Sequence, residues 1–106
     1  DSTQIGFLAQ GGDGVISVSA NIVPKKISDL QNAWFSGEYD KAIAIDREIA
    51  QLNSALFLES NPCPVKYAAH KLGMCDYELR LPLTKISKEN EKSINEALAT
   101  LNLIRA

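Results

Sequence analysis

One segment of this sequence has the composition of a buried strand, and no other segment could pair with it. Residues 15–23 are rich in β-branched side chains, and Ser and Asn are their only polar members. This pattern is typical of a strand buried on both faces of a parallel sheet. Because each buried backbone group without a partner costs about 1–3 kcal/mol, we expect the chain to be the end of a larger α/β protein.

The rest of the sequence predicts helices, because apolar residues recur at spacings of three and four. The predicted order is helix, strand and helix over residues 1–37, followed by a helical domain over residues 38–106. The first predicted helix covers residues 2–10, the second begins at Pro24 and ends at Gly37, and the third begins at Glu38 and continues through Leu56. The fourth has Asn61 as its N-cap and ends at Gly73, and the fifth has Ser87 as its N-cap and continues through Leu101.

Composition excludes several classes of protein. The chain is 45% hydrophobic and 23% charged, with a net charge of −2, which is ordinary for a soluble domain. The basic residues are scattered, so we expect no nucleic-acid partner. Apolar runs are too short for a membrane span, so we expect no membrane partner. Cys63 and Cys75 are not spaced as a pair and favour reduced, buried thiols; we therefore expect a cytoplasmic protein.

The glycines at positions 11, 12 and 14 resemble a phosphate-binding loop but stand in the wrong place for one. Such a loop follows a strand and opens a helix, whereas these glycines precede the predicted strand. They are better interpreted as a tight turn from helix to strand. In a β/α barrel, catalytic groups cluster where strands end, so site residues are expected at Ser19, Ala20 and Asn21.

No catalytic nucleophile and no metal site is predicted in this chain. His70 lies in a helix without a Cys or carboxylate at ligand spacing, and we interpret it as a partly exposed helix residue rather than a general base. Asp46, Glu48 and Glu59 are expected on a solvated face. Cys63 lacks a visible base and favours packing. The lysines lie in polar contexts, unlike a desolvated Schiff-base lysine.

Three blocks of the sequence resemble the dihydrodipicolinate synthase family. They are residues 11–18 (GGDGVISV), 56–66 (LFLESNPCPVK) and 80–84 (RLPLT). Their order and spacing match roughly the last third of the family's polypeptide. The second and third blocks favour the synthase over its relative, N-acetylneuraminate lyase.

This resemblance implies a (β/α)8 barrel followed by a C-terminal helical domain, assembled as a homotetramer. Members of the family hold pyruvate as a Schiff base on a barrel lysine and condense it with aspartate semialdehyde, on the route to lysine and diaminopimelate. No cofactor is implied. The family's Schiff-base lysine and proton-relay residues belong to segments that come before the part matched here.

The resemblance also assigns individual residues. The strand predicted over residues 15–23 would be the eighth barrel strand, and Ile16 matches the isoleucine that lines the family's pyruvate pocket. Asp1 matches the last acidic residue of a Gly-Asp-acid turn that follows the seventh strand. Cys63 stands where an apolar residue is usual, which agrees with a packing role.

Asn61 is the second candidate site residue. Pro62 and Pro64 restrict the residues before them, so the loop that contains Asn61 is expected to be fixed. We place Asn61 at the rim of the active site, with a simple N-cap as the alternative. The alternative for the whole chain is a helical interaction domain without chemistry of its own.

Overall fold

The computed structural model describes residues 1–105, and they fold into helices joined by connections of different lengths, of which residues 72–87 are the longest. Every helix predicted from the sequence is present. The elements are α1 (Gln4–Ala9), a 3₁₀-helix (Ser19–Asn21), α2 (Pro24–Phe35), α3 (Tyr39–Ala55), α4 (Cys63–Lys71) and α5 (Lys88–Thr100).

The strand predicted over residues 15–23 is not formed within residues 1–105. Residues 12–17 carry no regular structure, and the second half of the run turns into the 3₁₀-helix. A strand requires a neighbour to complete its hydrogen-bonded ladder, and no other segment of residues 1–105 forms a strand that could pair with this one. The prediction of a strand as long as residues 15–23 is therefore wrong for this chain, and the barrel that would contain it remains a proposal.

The chain divides into two compact units, and the first comprises Asp1–Asn53. Its apolar cluster is formed by side chains from α1, α2 and α3. Helix α2 begins at Pro24, a residue that suits the first turn because its missing N–H would have no partner there. The cluster contains Leu8, Leu30, Ala33 and Ala42, with Ile5, Trp34 and Ile45 packed against it.

The second unit begins at Ser54 and contains α4 and α5, which pack against each other. Tyr67 of α4 is buried, and its hydroxyl donates to Asn95 Oδ1 of α5 at 3.0 Å. Ile94, Ala97 and Leu98 of α5 are also buried. In the part of the chain that the structure describes, no helix is long and apolar enough to cross a membrane.

The two helix starts in this unit differ in how they are capped. Ser87 is the N-cap of α5, as predicted, and its hydroxyl accepts a hydrogen bond from the Asn90 backbone N–H at 3.1 Å. Helix α4 instead has Pro62 at its N-cap position, without a side-chain cap. The alternative prediction that Asn61 is the N-cap is therefore wrong, because the helix begins one residue later and Pro64 occupies its first turn.

Candidate functional site

A tight turn after α1 leads the chain into Ile16. Gly11 has a φ of +98°, which glycine adopts without steric cost. The Gly12 N–H donates to the Phe7 carbonyl at 3.0 Å, and a Cβ at Gly12 would lie 2.2 Å from a carbon of the Phe7 ring. The glycines thus close the end of a helix, which confirms their interpretation as a turn.

The carboxylate of Asp1 binds the segment directly after Ile16. Its Oδ2 accepts hydrogen bonds from the backbone N–H groups of Val18, at 2.9 Å, and Ser19, at 3.1 Å. Its Oδ1 accepts a hydrogen bond from the Ser17 hydroxyl. Ser17 Oγ in turn accepts from the Ala20 N–H at 3.0 Å. The carboxylate therefore satisfies free N–H groups at the start of the 3₁₀-helix, as an acidic cap does for an α-helix.

A second polar contact holds the same segment from the side of α3. The Ser19 hydroxyl is fully buried and donates to Asn53 Oδ1 at 2.6 Å. Asn53 is also buried, and its Nδ2 has no hydrogen-bond partner among the described residues. The segment that follows Ile16 is consequently bound both by Asp1 and by α3.

Ile16 itself is fully exposed, although its sequence context is that of a buried strand. The side chain has no packing partner that would explain an isoleucine at this position. It is one of the residues that line an open groove of about 430 Å³. The other residues that line this groove are Asp1, Thr3, Gln4, Phe7, Gly14 and Val15.

Asn61 lies in the second unit, in the loop between α3 and α4. Its side chain is exposed, and the Asn61–Pro62 peptide bond is cis. The loop is attached to the start of α5 through Glu59, whose Oε2 accepts from Asn90 Nδ2 at 2.6 Å and from the Ser87 N–H at 2.9 Å. The hydrogen bond from Asn90, followed by that from Ser87, lowers the pKa of Glu59, since both stabilise the carboxylate.

The other polar candidates have structural surroundings. His70 is exposed, as predicted; its Nδ1 lies 3.0 Å from the Cys75 carbonyl oxygen, and its ring stacks on Tyr77 with 5.6 Å between centroids. Burial raises the pKa of the Tyr77 hydroxyl, and the oxygen of this hydroxyl accepts a hydrogen bond from the Ile86 N–H at 3.0 Å. Cys63 is buried, whereas Cys75 is exposed, contrary to the expectation of two buried thiols.

The carboxylates of α3 do not form an acid/base pair. Glu48 makes an exposed ion pair with Lys26 at 2.5 Å. Asp46 is half-buried, and burial raises its pKa. Among residues 1–105, no group of three His, Cys, Asp or Glu side chains is placed to hold a metal ion.

Sequence reasoning missed the two residues that anchor the Ile16 segment. For Asp1, the resemblance predicts a place in a turn but no hydrogen-bond partner. Asn53 carried a signal that could have been used, since it lies four residues after Ile49 and so shares the buried face of α3. A polar residue on an apolar helix face requires a hydrogen-bond partner.

Comparison of the sequence with known proteins gives a consistent result. Residues 1–101 match the sequence profile of the Dihydrodipicolinate synthetase family. The 4-hydroxy-tetrahydrodipicolinate synthase of Gluconobacter oxydans is 45% identical over 104 residues, which are 98% of this chain and 35% of that protein. That of Rickettsia typhi is 44% identical over 103 residues, or 97% of this chain and 35% of that protein.

Solved structures agree with these matches. The dihydrodipicolinate synthase of Thermotoga maritima superposes with a TM-score of 0.95 at 38% identity, over 97% of this chain and 35% of that one. A chloride-inhibited synthase from Acinetobacter baumannii, solved in complex with pyruvate, gives a TM-score of 0.92 at 37% identity, again over 97% and 35%. This chain spans about a third of the length of the relatives it matches and corresponds to their C-terminal third.

Proposed function

Since the chain belongs to the dihydrodipicolinate synthetase family, we propose that it is the C-terminal part of a lyase that condenses pyruvate with aspartate semialdehyde. The product would enter the route to lysine and diaminopimelate. The observation that carries this proposal is the 45% identity to a synthase over 98% of the chain. A match of this extent includes both the Ile16 segment and the Asn61 loop.

In the proposed enzyme, Ile16 lines the pyruvate pocket. Its complete exposure supports this assignment, because a large apolar side chain that its own unit does not cover is available to contact a ligand or another part of the protein. Ile16 and the residues next to it would belong to the eighth strand of a (β/α)8 barrel, in which sites lie where strands end. The Schiff-base lysine would belong to the barrel segments outside this match.

The proposed enzyme is a cytoplasmic homotetramer without a cofactor. Several large apolar side chains of the chain are exposed, and such surfaces are common where protein contacts protein. We propose that the remainder of the barrel and the neighbouring subunits cover them. The most exposed, besides Ile16, are Leu81, Met74, Phe7 and Phe35.

Asn61 is proposed to lie at the rim of the active site. Because its side chain is exposed and does not cap α4, Asn61→Ala should change the free energy of unfolding by less than about 0.5 kcal/mol. In the full-length enzyme the same substitution should lower kcat/KM for at least one substrate. Asn32→Ala, at an exposed position of α2, is the control; equal kinetics for both variants would show that Asn61 is a loop residue only.

The proposed function is tested by trapping pyruvate on the full-length protein with borohydride. We expect a stable reduced adduct on one lysine, and turnover when aspartate semialdehyde is added. An adduct together with cleavage of N-acetylneuraminate, and no reaction with aspartate semialdehyde, would identify the related lyase instead. Absence of any adduct would favour the alternative of a helical interaction domain.

A further inference from the structure

Two polar anchors, rather than packing, fix the backbone that carries Ile16. The side chain of Ile16 is fully exposed, so no apolar neighbour in its unit restricts it. The three residues that follow it are each bound by a side chain from elsewhere in the chain. Asp1 accepts from Ser17, Val18 and Ser19, and Asn53 accepts from the Ser19 hydroxyl.

Asn53 is a buried polar residue on an apolar face of α3. Its Nδ2 is buried without a hydrogen-bond partner among the described residues, and a buried polar group without a partner lowers stability. An apolar side chain would suit this face of α3 better, because Ile49 and Leu52 beside it are completely buried. The side-chain hydrogen bond of Asn53 is instead made by Oδ1, which accepts from the Ser19 hydroxyl at 2.6 Å.

We propose that Asp1 and Asn53 are positioning residues that hold Ile16 in place at the pyruvate pocket. This inference rests on the proposed function. Asp1 sets the direction of the backbone through three hydrogen bonds directly after Ile16, and Asn53 fixes the far end of the same turn through Ser19. Since displacement of a binding group by about 1 Å can cost up to about a hundredfold in rate, both anchors affect pyruvate use through the position of Ile16.

The decisive variant in the full-length enzyme is the pair Ser19→Ala with Asn53→Leu. Replacing both partners of a buried hydrogen bond by apolar groups can leave stability unchanged or raise it, so the melting temperature should be retained. We expect kcat/KM for pyruvate to fall by about tenfold to a hundredfold, chiefly through KM, while KM for aspartate semialdehyde stays within about twofold. If the Ser19–Asn53 hydrogen bond served stability alone, the double variant would not lower kcat/KM for pyruvate while keeping its melting temperature.

Asp1 provides an independent second test, because it is only half-buried. Asp1→Ala should raise KM for pyruvate, and Asp1→Asn, which keeps one acceptor oxygen, should raise it less. The matched controls are Ser28→Ala and Asn32→Leu, both at exposed positions of α2. If the double variant fails to fold, the two Asp1 variants decide the question.

The outcomes for the two proposals are separate. If the wild-type enzyme forms no borohydride-trapped adduct with pyruvate, the proposed function is wrong. If the wild-type enzyme is active, but the double variant and Asp1→Ala keep its KM for pyruvate, then Asp1 and Asn53 do not position Ile16 and this inference is overturned while the proposed function stands.

Discussion

At the scale of single residues, Ile16 offers the most direct test of the site. Its side chain makes little contribution to folding within its own unit, because it is fully exposed. In the full-length enzyme, Ile16→Ala should raise KM for pyruvate, since truncation removes apolar surface from the proposed pocket. Steady-state kinetics at equal folded fraction measure this effect.

Val18→Ala is the control for Ile16, two residues further along the same segment. It shortens a β-branched side chain but keeps the backbone N–H that donates to Asp1. The turn should therefore persist and the pyruvate kinetics should stay close to wild type. If both variants keep the pyruvate kinetics of the wild type, Ile16 does not line the pyruvate pocket.

Glu59 predicts a pH dependence of stability. Hydrogen bonds from Asn90 and Ser87 lower the pKa of its carboxyl group from the ordinary value of 4.5. Because the folded-state pKa is the lower one, the contribution of Glu59 to stability is present above pH 4.5 and is lost as the pH falls through the lowered pKa. Denaturant titrations of the wild type and of Glu59→Gln should differ most near neutral pH.

The donor from α5 provides the control for this pH effect. Asn90→Ala removes the hydrogen bond that lowers the pKa of Glu59 most. In the Asn90→Ala background, the pH-dependent difference in unfolding free energy between proteins with Glu and with Gln at position 59 should become smaller. An unchanged difference would assign the pH dependence to another carboxylate.

At the scale of elements, the turn after α1 predicts opposite effects for two glycines. A Cβ at Gly12 would lie 2.2 Å from the Phe7 ring and 2.9 Å from the Phe7 carbonyl oxygen, whereas nothing lies within 4 Å of one at Gly6. Gly12→Ala should therefore destabilise the full-length protein by about 1–3 kcal/mol. Gly6→Ala, inside α1, should stabilise it by up to about 1 kcal/mol; thermal unfolding that gave the same sign for both would contradict this packing.

The helices were predictable because their signals are local. Ser87 caps α5 as expected, since a serine before a polar, acidic first turn is sufficient for that geometry. Asn61 shows the limit of the same reasoning. Asn followed by Pro resembles an N-cap, but the helix begins one residue later, with Pro64 in its first turn, and Asn61 therefore lies in a loop.

The strand and the anchors were less predictable because they depend on distant residues. Composition alone marks residues 15–23 as apolar, but whether they pair depends on a neighbouring strand. The hydrogen bond from Ser19 to Asn53 spans 34 positions in the sequence, and that from Val18 to Asp1 spans 17. Contacts of this kind follow from tertiary packing, and the sequence shows only that both partners are polar.

At the scale of the whole molecule, several large apolar side chains are exposed, among them Ile16, Leu81 and Met74. A segment of strand-like composition runs through residues 15–17 without a partner within residues 1–105, and Ile16 in it is fully exposed. Exposed segments of this type pair readily between molecules. We therefore expect a polypeptide of these 106 residues to be poorly soluble, and the full-length protein to remain in solution under the same conditions.

The same polypeptide should also be catalytically inert. Its eight lysines lie at exposed or half-buried positions, whereas a Schiff-base lysine requires a desolvated site that lowers its pKa. Incubation with pyruvate and borohydride should consequently give no stable adduct on the 106-residue chain, while the full-length protein treated in parallel should give one. An adduct on Lys66, or on any other lysine of the short chain, would show that the nucleophile lies within this segment and would contradict its proposed place in the enzyme.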